Sequence, residues 1–594
     1  MALLRRAAPF WVILGLYLPV CLLLLRARLF FADTVVTSAI FFILVIGIDL
    51  LYGYTGQLSL GHQGFFAVGA YTAAILAGSF SVAPWLGALL ALGLNLLLAA
   101  SLGRVLLRLT GVYFMLGTLA FGLIVQSLLS VWYPVTGGDQ GIGGLPRPSF
   151  FGVSLESDFG YGALTWVLAF ALLWFALNLG RSRLGRAMQA IRNDEVAAGA
   201  SGVNVRQLKV NVFVLSALYA SLAGSLFAFY VRAVHPESFT LAALLDVLLM
   251  LFIGGQGTIW GSLLGTTLIR VLPDITSFFA NYRFLVNGLI FTAVLLLFPH
   301  GFAGAIRKLA ARRRTAPTSQ PARPELLSMR RCEPAPASST NNILEVRRLK
   351  RHFGGVRAVD DVSFDVPQGS IKSVIGPNGA GKSTLLNLIS GVDRTEAGHV
   401  RFMERDVSAL RSDEIGLLGI GRTFQDLRLF RDFSVVDNVI VGCYDRPQGG
   451  ALDMLRVGLP APAVLKEERA LQARSREWLA MLGIDHLHDV PVANLSYGHR
   501  KLVELARATV SQPRLLLLDE LGAGLSETEK QQLREIILGL KGQGMTIVLI
   551  EHDVEFVMGL SDEVLVMDFG RVIADGLPAD VRRDEAVVSA YLGA

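Results

Sequence analysis

Gly376-Pro377-Asn378-Gly379-Ala380-Gly381-Lys382-Ser383-Thr384 fits the pattern G-x-x-x-x-G-K-[ST]. Loops of this kind cradle phosphate oxygens with backbone N–H groups, and the helix that follows turns its positive end toward the same anion. The run lies between a largely apolar strand-like stretch, Ile371 to Ile375, and an apolar helix start, Leu385 to Ile389. In that setting Lys382 is expected to reach the outer phosphates of a nucleotide and Ser383 to hold Mg²⁺.

Outward from the loop, strand-like runs at 370–375, 515–518 and 546–550 alternate with helical ones at 467–481 and 527–541. This is the pattern of an α/β domain with a largely parallel sheet, and 564–571 reads as a late hairpin. The run Leu515-Leu516-Leu517-Leu518 ends in Asp519-Glu520, at the strand end where parallel-sheet chemistry collects. Alone, the pair could be two surface carboxylates. Downstream of a P-loop, Asp519 is expected to assist Mg²⁺ and Glu520 to polarise an attacking water.

The first half of the chain has another character. Of 594 residues 53% are hydrophobic and only 17% charged, and charges are scarce before about Arg307. Mean hydropathy is +0.51. Apolar segments long enough to cross a bilayer recur near 10–25, 34–52, 64–80, 85–103, 112–133, 162–180, 211–231 and 284–300. The stretch 240–272 is apolar but broken by Gly254-Gly255-Gln256-Gly257, Gly261 and Gly265, and reads as two short spans or a broken hairpin. Counting it as two gives about ten spans.

The net charge of +6 comes from Arg and Lys flanking these segments, and no basic, aromatic-laced surface points to nucleic acid. Arg104 and Arg108, then Arg181 to Arg192, then Arg307 to Arg314 fall on one side, which is expected to be cytoplasmic; Arg26 and Arg28 are exceptions. The three cysteines, Cys21, Cys332 and Cys443, have no disulfide or metal spacing. From about 312 to 342 the chain turns to Arg, Pro, Ser, Thr and Ala and reads as a linker. Fully extended, such a segment spans on the order of 100 Å.

Between the P-loop and Asp519 lies Leu495-Ser496-Tyr497-Gly498-His499, followed by a helix-like run. Here the soluble half, residues 343–594, resembles the nucleotide-binding domain of ABC transporters, whose signature reads Leu-Ser-Gly-Gly-Gln. The resemblance implies that Phe353 stacks on adenine and that Gln425 links the γ-phosphate and its Mg²⁺ to the membrane domain. It also implies that His552 contacts the γ-phosphate and that Ser496 serves the ATP of a second such domain. Tyr497, His499, Leu521 and Ser526 depart from the general motifs at the signature, after the catalytic glutamate and in the following loop.

The stretch 53–66 (Gly53-Tyr54-Thr55-Gly56-Gln57-Leu58-Ser59-Leu60-Gly61-His62-Gln63-Gly64-Phe65-Phe66) is dense in glycine and polar groups between two spans. Irregular backbone at membrane depth faces protein or a pathway; close helix packing through glycine is the other reading. With Gly69-Ala70-Tyr71-Thr72-Ala73, Gly111-Val112-Tyr113-Phe114, Thr118 to Gly122 and Ser182 to Glu195, residues 30–305 resemble the permease subunit of branched-chain amino acid ABC importers. The last of these segments, with Arg183, Gly185, Arg186, Ala187, Arg192 and Glu195, is implied to be the coupling loop beside the glutamine loop. Asp49, Gln57, Gln126 and Asp246 are polar groups in or near spans. Gln57, Ser59, His62 and Gln126 are the candidates for a substrate pathway, although His62 also reads as a satisfied packing residue.

The expected architecture is therefore a polytopic α-helical membrane domain (1–306, some spans broken), a flexible linker (307–342) and an α/β P-loop ABC ATPase domain (343–594). The implied activity is ATP hydrolysis with Mg²⁺ coupled to uptake of branched-chain amino acids. Urea, short amides or other amino acids are alternative cargoes. A homodimeric exporter or a non-transporting signalling ATPase is the alternative of another class. The implied partners are membrane lipid, a second permease-type subunit, a second ABC ATPase subunit and an extracytoplasmic substrate-binding protein. The implied location is a bacterial inner membrane, with the ATPase cytoplasmic.

Overall fold

The computed structural model describes residues 14–15, 17–26, 32–150, 153–275, scattered positions between 282 and 298, 301–305, 342–444, 450–459 and 462–592. The expected linker lies outside these except for Asn342, as does much of the span expected at 284–300. The chain forms two compact units. One comprises Met1–Arg192, Arg206–Pro317 and Gly450–Ala461; the other comprises Asn193–Val205, Thr318–Gly449 and Pro462–Ala594.

Among the described residues of the first unit, five helices are long and apolar enough to cross a bilayer: α1 (Ala32–Thr55), α3 (Pro84–Leu106), α4 (Val112–Val131), α5 (Asp158–Gly180) and α8 (Val205–Val231). The last opens at Val205, the final residue of a segment that belongs to the second unit. Most residues of helix α1 are buried, whereas most of α3 and α4 are not, and these two turn rows of Leu, Val and Ile outward. A helix hydrophobic on every side and buried is a bundle core; apolar faces turned outward suit lipid.

Between α1 and α2 (His62–Gly78) the helix breaks over residues 56–61, within the glycine-dense stretch. Close packing accounts for its glycines. A Cβ at Gly53 would stand 2.5 Å from Gly257 N, one at Gly64 2.9 Å from the Phe121 ring, and ones at Gly61 and Gly69 would strike the carbonyls of Thr118 and Ser221. The stretch 240–272 forms two helices, α9 (Leu241–Gly254) and α10 (Gly261–Ile275), separated by a turn. Asp49 holds that turn, its carboxylate accepting the N–H groups of Gly257 at 2.6 Å and Ile259 at 2.8 Å. Two shorter helices, α6 (Arg183–Asn193) and α7 (Glu195–Ala200), lie between α5 and α8.

The second unit is built on two sheets. Strands β1 (Asn342–Phe353), β2 (Val356–Pro367), β4 (Ala397–Phe402) and β5 (Arg405–Asp406) form an antiparallel sheet in the order β2-β1-β4-β5. Strands β3 (Ile371–Ile375), β6 (Ile420–Arg422), β7 (Leu515–Asp519), β8 (Thr546–Ile550), β9 (Glu563–Asp568) and β10 (Arg571–Gly576) form the second, in the order β6-β7-β8-β3-β9-β10. The first five are parallel and the last pair is the antiparallel hairpin. Strands β3, β7 and β8 are buried along their whole length, which is why β7 and β8 read as near-continuous apolar runs rather than alternations, while β3 buries Lys372 and Ser373 among its apolar residues. Their side chains divide between two cores on the two faces of the sheet.

Among the helices of this unit are α11 (Lys382–Ile389), α12 (Val435–Val441), α14 (Pro462–Met481), α15 (Tyr497–Thr509) and α16 (Glu527–Gly542). The helix α13 (Ala451–Gly458) belongs to the first unit, where Arg183 pairs with its Asp453 at 2.6 Å.

Candidate functional site

Parallel pairing brings the C-terminal ends of neighbouring strands to one edge. Asp519 registers with Ile550, and Arg422 with Leu517, so the loops carrying Gln425, Glu520 and His552 leave adjacent strands together. The P-loop leaves β3 at that edge, the position where open α/β sheets bind ligands.

Within the P-loop, Gly376, Gly379 and Gly381 take φ values of 148°, 83° and 96°. Gly376 and Gly381 also run against backbone, since an added Cβ would strike the carbonyls of Met567 and Ala358. Glycine is required there for conformation and for space. Asn378 and Gly379 are exposed at the mouth of the loop. The ammonium of Lys382 folds across the loop to the carbonyls of Gly376 (2.8 Å) and Pro377 (2.9 Å). Burial pushes its pKa down, against the charges of Glu520 and Asp519. Ser383 and Thr384 follow on the first turn of α11.

Asp519 is buried, and its Oδ1 has no hydrogen-bond partner. Burial lifts its carboxyl to about 6, opposed first by Arg422 and with the Ser383 hydroxyl set against it. A carboxylate with an unpartnered oxygen beside a serine hydroxyl is a donor set that Mg²⁺ accepts alongside phosphate and water. The residues present therefore fit a nucleoside triphosphate with its metal.

Glu520 is the best-held carboxylate of the site. Its Oε2 accepts Gln425 Nε2 at 3.0 Å and its Oε1 accepts His552 Nε2 at 2.6 Å. Its backbone N–H donates to Ile550 at 2.9 Å, and its carbonyl accepts Lys501 Nζ at 2.6 Å. Its φ of 49° is left-handed, a conformation costly for a side chain with Cβ and kept only where surroundings over-determine it. Three of the expected residues, Gln425, Glu520 and His552, are thus joined directly.

Phe353 ends β1 half-exposed, with the Arg351 guanidinium 4.6 Å from its ring. Leu495 is buried, and Ser496 is the N-cap of α15. The Ser496 hydroxyl faces His499 Nδ1 at 2.9 Å and accepts the His499 N–H at 3.4 Å. Tyr497 is half-exposed over Lys501, and Gly498 leaves room for Glu529, whose carboxylate a Cβ would strike. The two downstream departures have local roles. Leu521 is buried in the core and Ser526 caps α16, its N–H bound by Glu529 at 2.9 Å.

In the segment expected to form the coupling loop, Arg183, Gly185, Arg186 and Ala187 are buried on α6. A Cβ at Gly185 would strike the Gly180 carbonyl. Arg192 donates to the Gly53 carbonyl at 2.5 Å. Asp194 caps α7, where Glu195 is exposed, and pairs with Arg428 at 2.9 Å, three residues beyond Gln425. Of the pathway candidates, Gln57 and Gln126 are half-buried, while Ser59 and His62 are fully buried. Both ring nitrogens of His62 are engaged, Nδ1 with Ser59 at 3.0 Å and Nε2 with Ser216 at 2.5 Å.

Sequence reasoning missed Lys501, Glu504 and Arg507 on α15, together with Arg422 and Glu551. All five are buried, and the first three sit at successive three-residue steps. That spacing makes one stripe of a helix, and it was the available signal.

Known proteins extend this picture. The family described as the permease component of the branched-chain amino acid transport system matches residues 30–299. The ABC transporter family matches 359–523, and the branched-chain amino acid ATP-binding cassette transporter family matches 571–594. The high-affinity branched-chain amino acid transport ATP-binding protein LivG of Salmonella typhimurium is 37% identical over 252 residues, 42% of this chain and 98% of LivG. BraF of Pseudomonas aeruginosa, with the same description, is 35% identical over 42% of this chain and 98% of its own length. A solved ATP-binding cassette of an ABC transporter in its ADP conformation is 33% identical, covering 43% of this chain and all of that one, with a TM-score of 0.37. The chain, a multi-pass membrane protein with an ATP-hydrolysing cassette, belongs to the branched-chain amino acid ABC transporter family and carries the permease and ATP-binding components on one polypeptide.

Proposed function

We propose that this chain is the fused permease and ATPase subunit of an importer that takes up leucine, isoleucine and valine. The observation that carries the coupling to hydrolysis is the Gln425–Glu520–His552 cluster at the sheet edge beside the P-loop. In this reading residues 1–306 form the permease, 307–342 the linker and 343–594 the ATPase. The basic residues flanking the spans support an ATPase on the cytoplasmic side, in a bacterial inner membrane.

Lys382 and the N–H groups of the P-loop bind the outer phosphates of ATP, and Phe353 offers its ring to adenine. Ser383 and Asp519, with Gln425 beside them, hold Mg²⁺, which supplies charge neutralisation to the phosphates when bound. Glu520 orients a water and takes its proton, while His552 and Gln425 orient Glu520. Leu495 to His499 present Ser496 to the nucleotide of a second ABC ATPase, so one chain does not complete a site. Import further requires a second permease-type subunit and an extracytoplasmic substrate-binding protein.

The test is labelled leucine and urea uptake into vesicles holding the assembled transporter, with ATPase measured with and without the binding protein. Leucine uptake and stimulated hydrolysis, both lost in Glu520→Gln, are expected. Uptake that survives that substitution, or urea carried in place of leucine, refutes the corresponding part.

A further inference from the structure

We propose that Glu504 and Arg507, one turn apart on α15, are positioning residues for hydrolysis that clamp the loop from Phe424 to Arg428. The proposal rests on the roles assigned above to Gln425 and Glu520.

Glu504 is fully buried. Its Oε1 accepts the Phe424 N–H at 3.3 Å, while its Oε2 has no hydrogen-bond partner. Phe424 immediately precedes Gln425. Arg507, also buried, stands 3.6 Å from Glu504 and donates to the Arg428 carbonyl at 2.7 Å, its guanidinium over the Phe430 ring at 4.9 Å. The helix thus grips the loop on both sides of Gln425, at the Phe424 N–H and at the Arg428 C=O.

From that fixed backbone two side chains project. Gln425 reaches Glu520, and Arg428 reaches Asp194, the N-cap of α7. Packing alone does not call for these charges, because a buried ion pair is often no more stabilising than apolar residues of similar volume. What the pair supplies is directional: buried loop peptides need partners, and here the partners belong to the helix that Ser496 opens. Lys501 on the same stripe holds the Glu520 carbonyl, so α15 sets both members of the Gln425–Glu520 contact.

The test uses the assembled transporter in proteoliposomes, measuring kcat and KM for ATP together with thermal unfolding. Glu504→Gln and Arg507→Lys are each expected to lower kcat about tenfold or more, as small misplacements of catalytic groups do. KM is expected to stay within about threefold, because phosphate binding is not the affected step. The unfolding temperature is expected to fall by several degrees in each, because one buried charge is left uncompensated, so the split between kcat and KM and the double variant carry the reading. Residues acting through Gln425 lose their effect once it is gone, so Glu504→Gln added to Gln425→Ala costs less than about twofold more.

The proposal is overturned if both single variants keep kcat within about twofold, or if the double variant loses the two factors multiplied. Should Glu504→Gln fail to fold, Arg507→Lys with Gln425→Ala makes the same comparison. Glu520→Gln hydrolysing at the native rate instead overturns the underlying assignment, and the proposal with it.

Discussion

Lys501→Met isolates one contact that holds Glu520, the proposed catalytic base. Lys501 is 3% exposed, and its ammonium donates to the Glu520 carbonyl at 2.6 Å. Its charge also faces the carboxylates of Glu504 and Glu551, both raised by burial and eased by this cation. Methionine keeps the stem and removes the donor. Losing a hydrogen bond from a charged donor and leaving the acceptor buried costs about 2–3 kcal/mol. In a domain of this size that lowers the unfolding temperature by about 4–12 °C.

The second effect is on hydrolysis. Glu520 keeps a left-handed φ of 49°, a conformation that costs about 1–3 kcal/mol outside glycine. With its carbonyl released, relief of part of that strain competes with the hydrogen bonds to Gln425 and His552. A shift of 1–2 kcal/mol lowers the held population, and kcat with it, about 5- to 30-fold, with little change in KM. The assay pairs thermal unfolding of the full chain with steady-state ATPase. Lys541→Met is the control, since it removes a partly exposed pair with Asp562 at 2.7 Å and is expected to cost less than about 1 kcal/mol. If the two variants behave alike in both measurements, the reasoning about Glu520 is refuted.

Asp519 gives a prediction whose sign depends on pH. Burial raises its carboxyl from 3.8 to about 6, so its favourable contribution is complete below the ordinary carboxylate range and is lost as pH rises through about 6. Above that, keeping it ionised costs about 3 kcal/mol. Without nucleotide and with divalent ions chelated, Asp519→Asn is expected to be more stable than the native chain near pH 7.5, with the gap closing toward pH 4, and to be inactive. A variant that is less stable at pH 7.5, or a gap independent of pH, contradicts this. In the coupling segment, Arg186→Glu with Arg192→Glu removes the bond from Arg192 to the Gly53 carbonyl. Uptake and binding-protein-stimulated ATPase are expected to fall about tenfold, the loss of a coupling of 1–2 kcal/mol; unchanged values of both argue against the coupling assignment.

What was legible in the sequence was local. The P-loop, the run into Asp519 and the β9–β10 hairpin carry their geometry in consecutive residues. Strands β1 and β2 escaped notice because their twelve-residue ribbon mixes Arg, Lys and Asp into the apolar positions and shifts register repeatedly. The contacts of Glu520 were not readable either, since Gln425 lies 95 residues away and His552 32 residues away. Only the order β6-β7-β8 brings their loops to one edge. In the membrane unit, the break between α9 and α10 was visible as glycines. Its cause, Asp49 more than 200 residues upstream, was not. An ionisable residue in a span draws attention as a functional candidate, yet this carboxylate satisfies the N–H groups that the break exposes.

The departures at Tyr497, His499, Leu521 and Ser526 take on a different meaning once the stripe on α15 is known. None of them removes a member of that stripe. Lys501, Glu504 and Arg507 face the sheet edge and the Gln425 loop, whereas Tyr497 and His499 sit at the helix start beside Ser496. Leu521 and Ser526 are engaged in the core and in a helix cap. On the proposed reading, Ser496 meets the partner's nucleotide, so the helix that senses the partner also sets Glu520 for its own. Closing force on the start of α15 then reaches Glu520 through Lys501 and Asp194 through Glu504, Arg507 and Arg428. Variation at the helix start therefore tunes how firmly the two ATPases engage, and the three buried charges decide what that engagement moves.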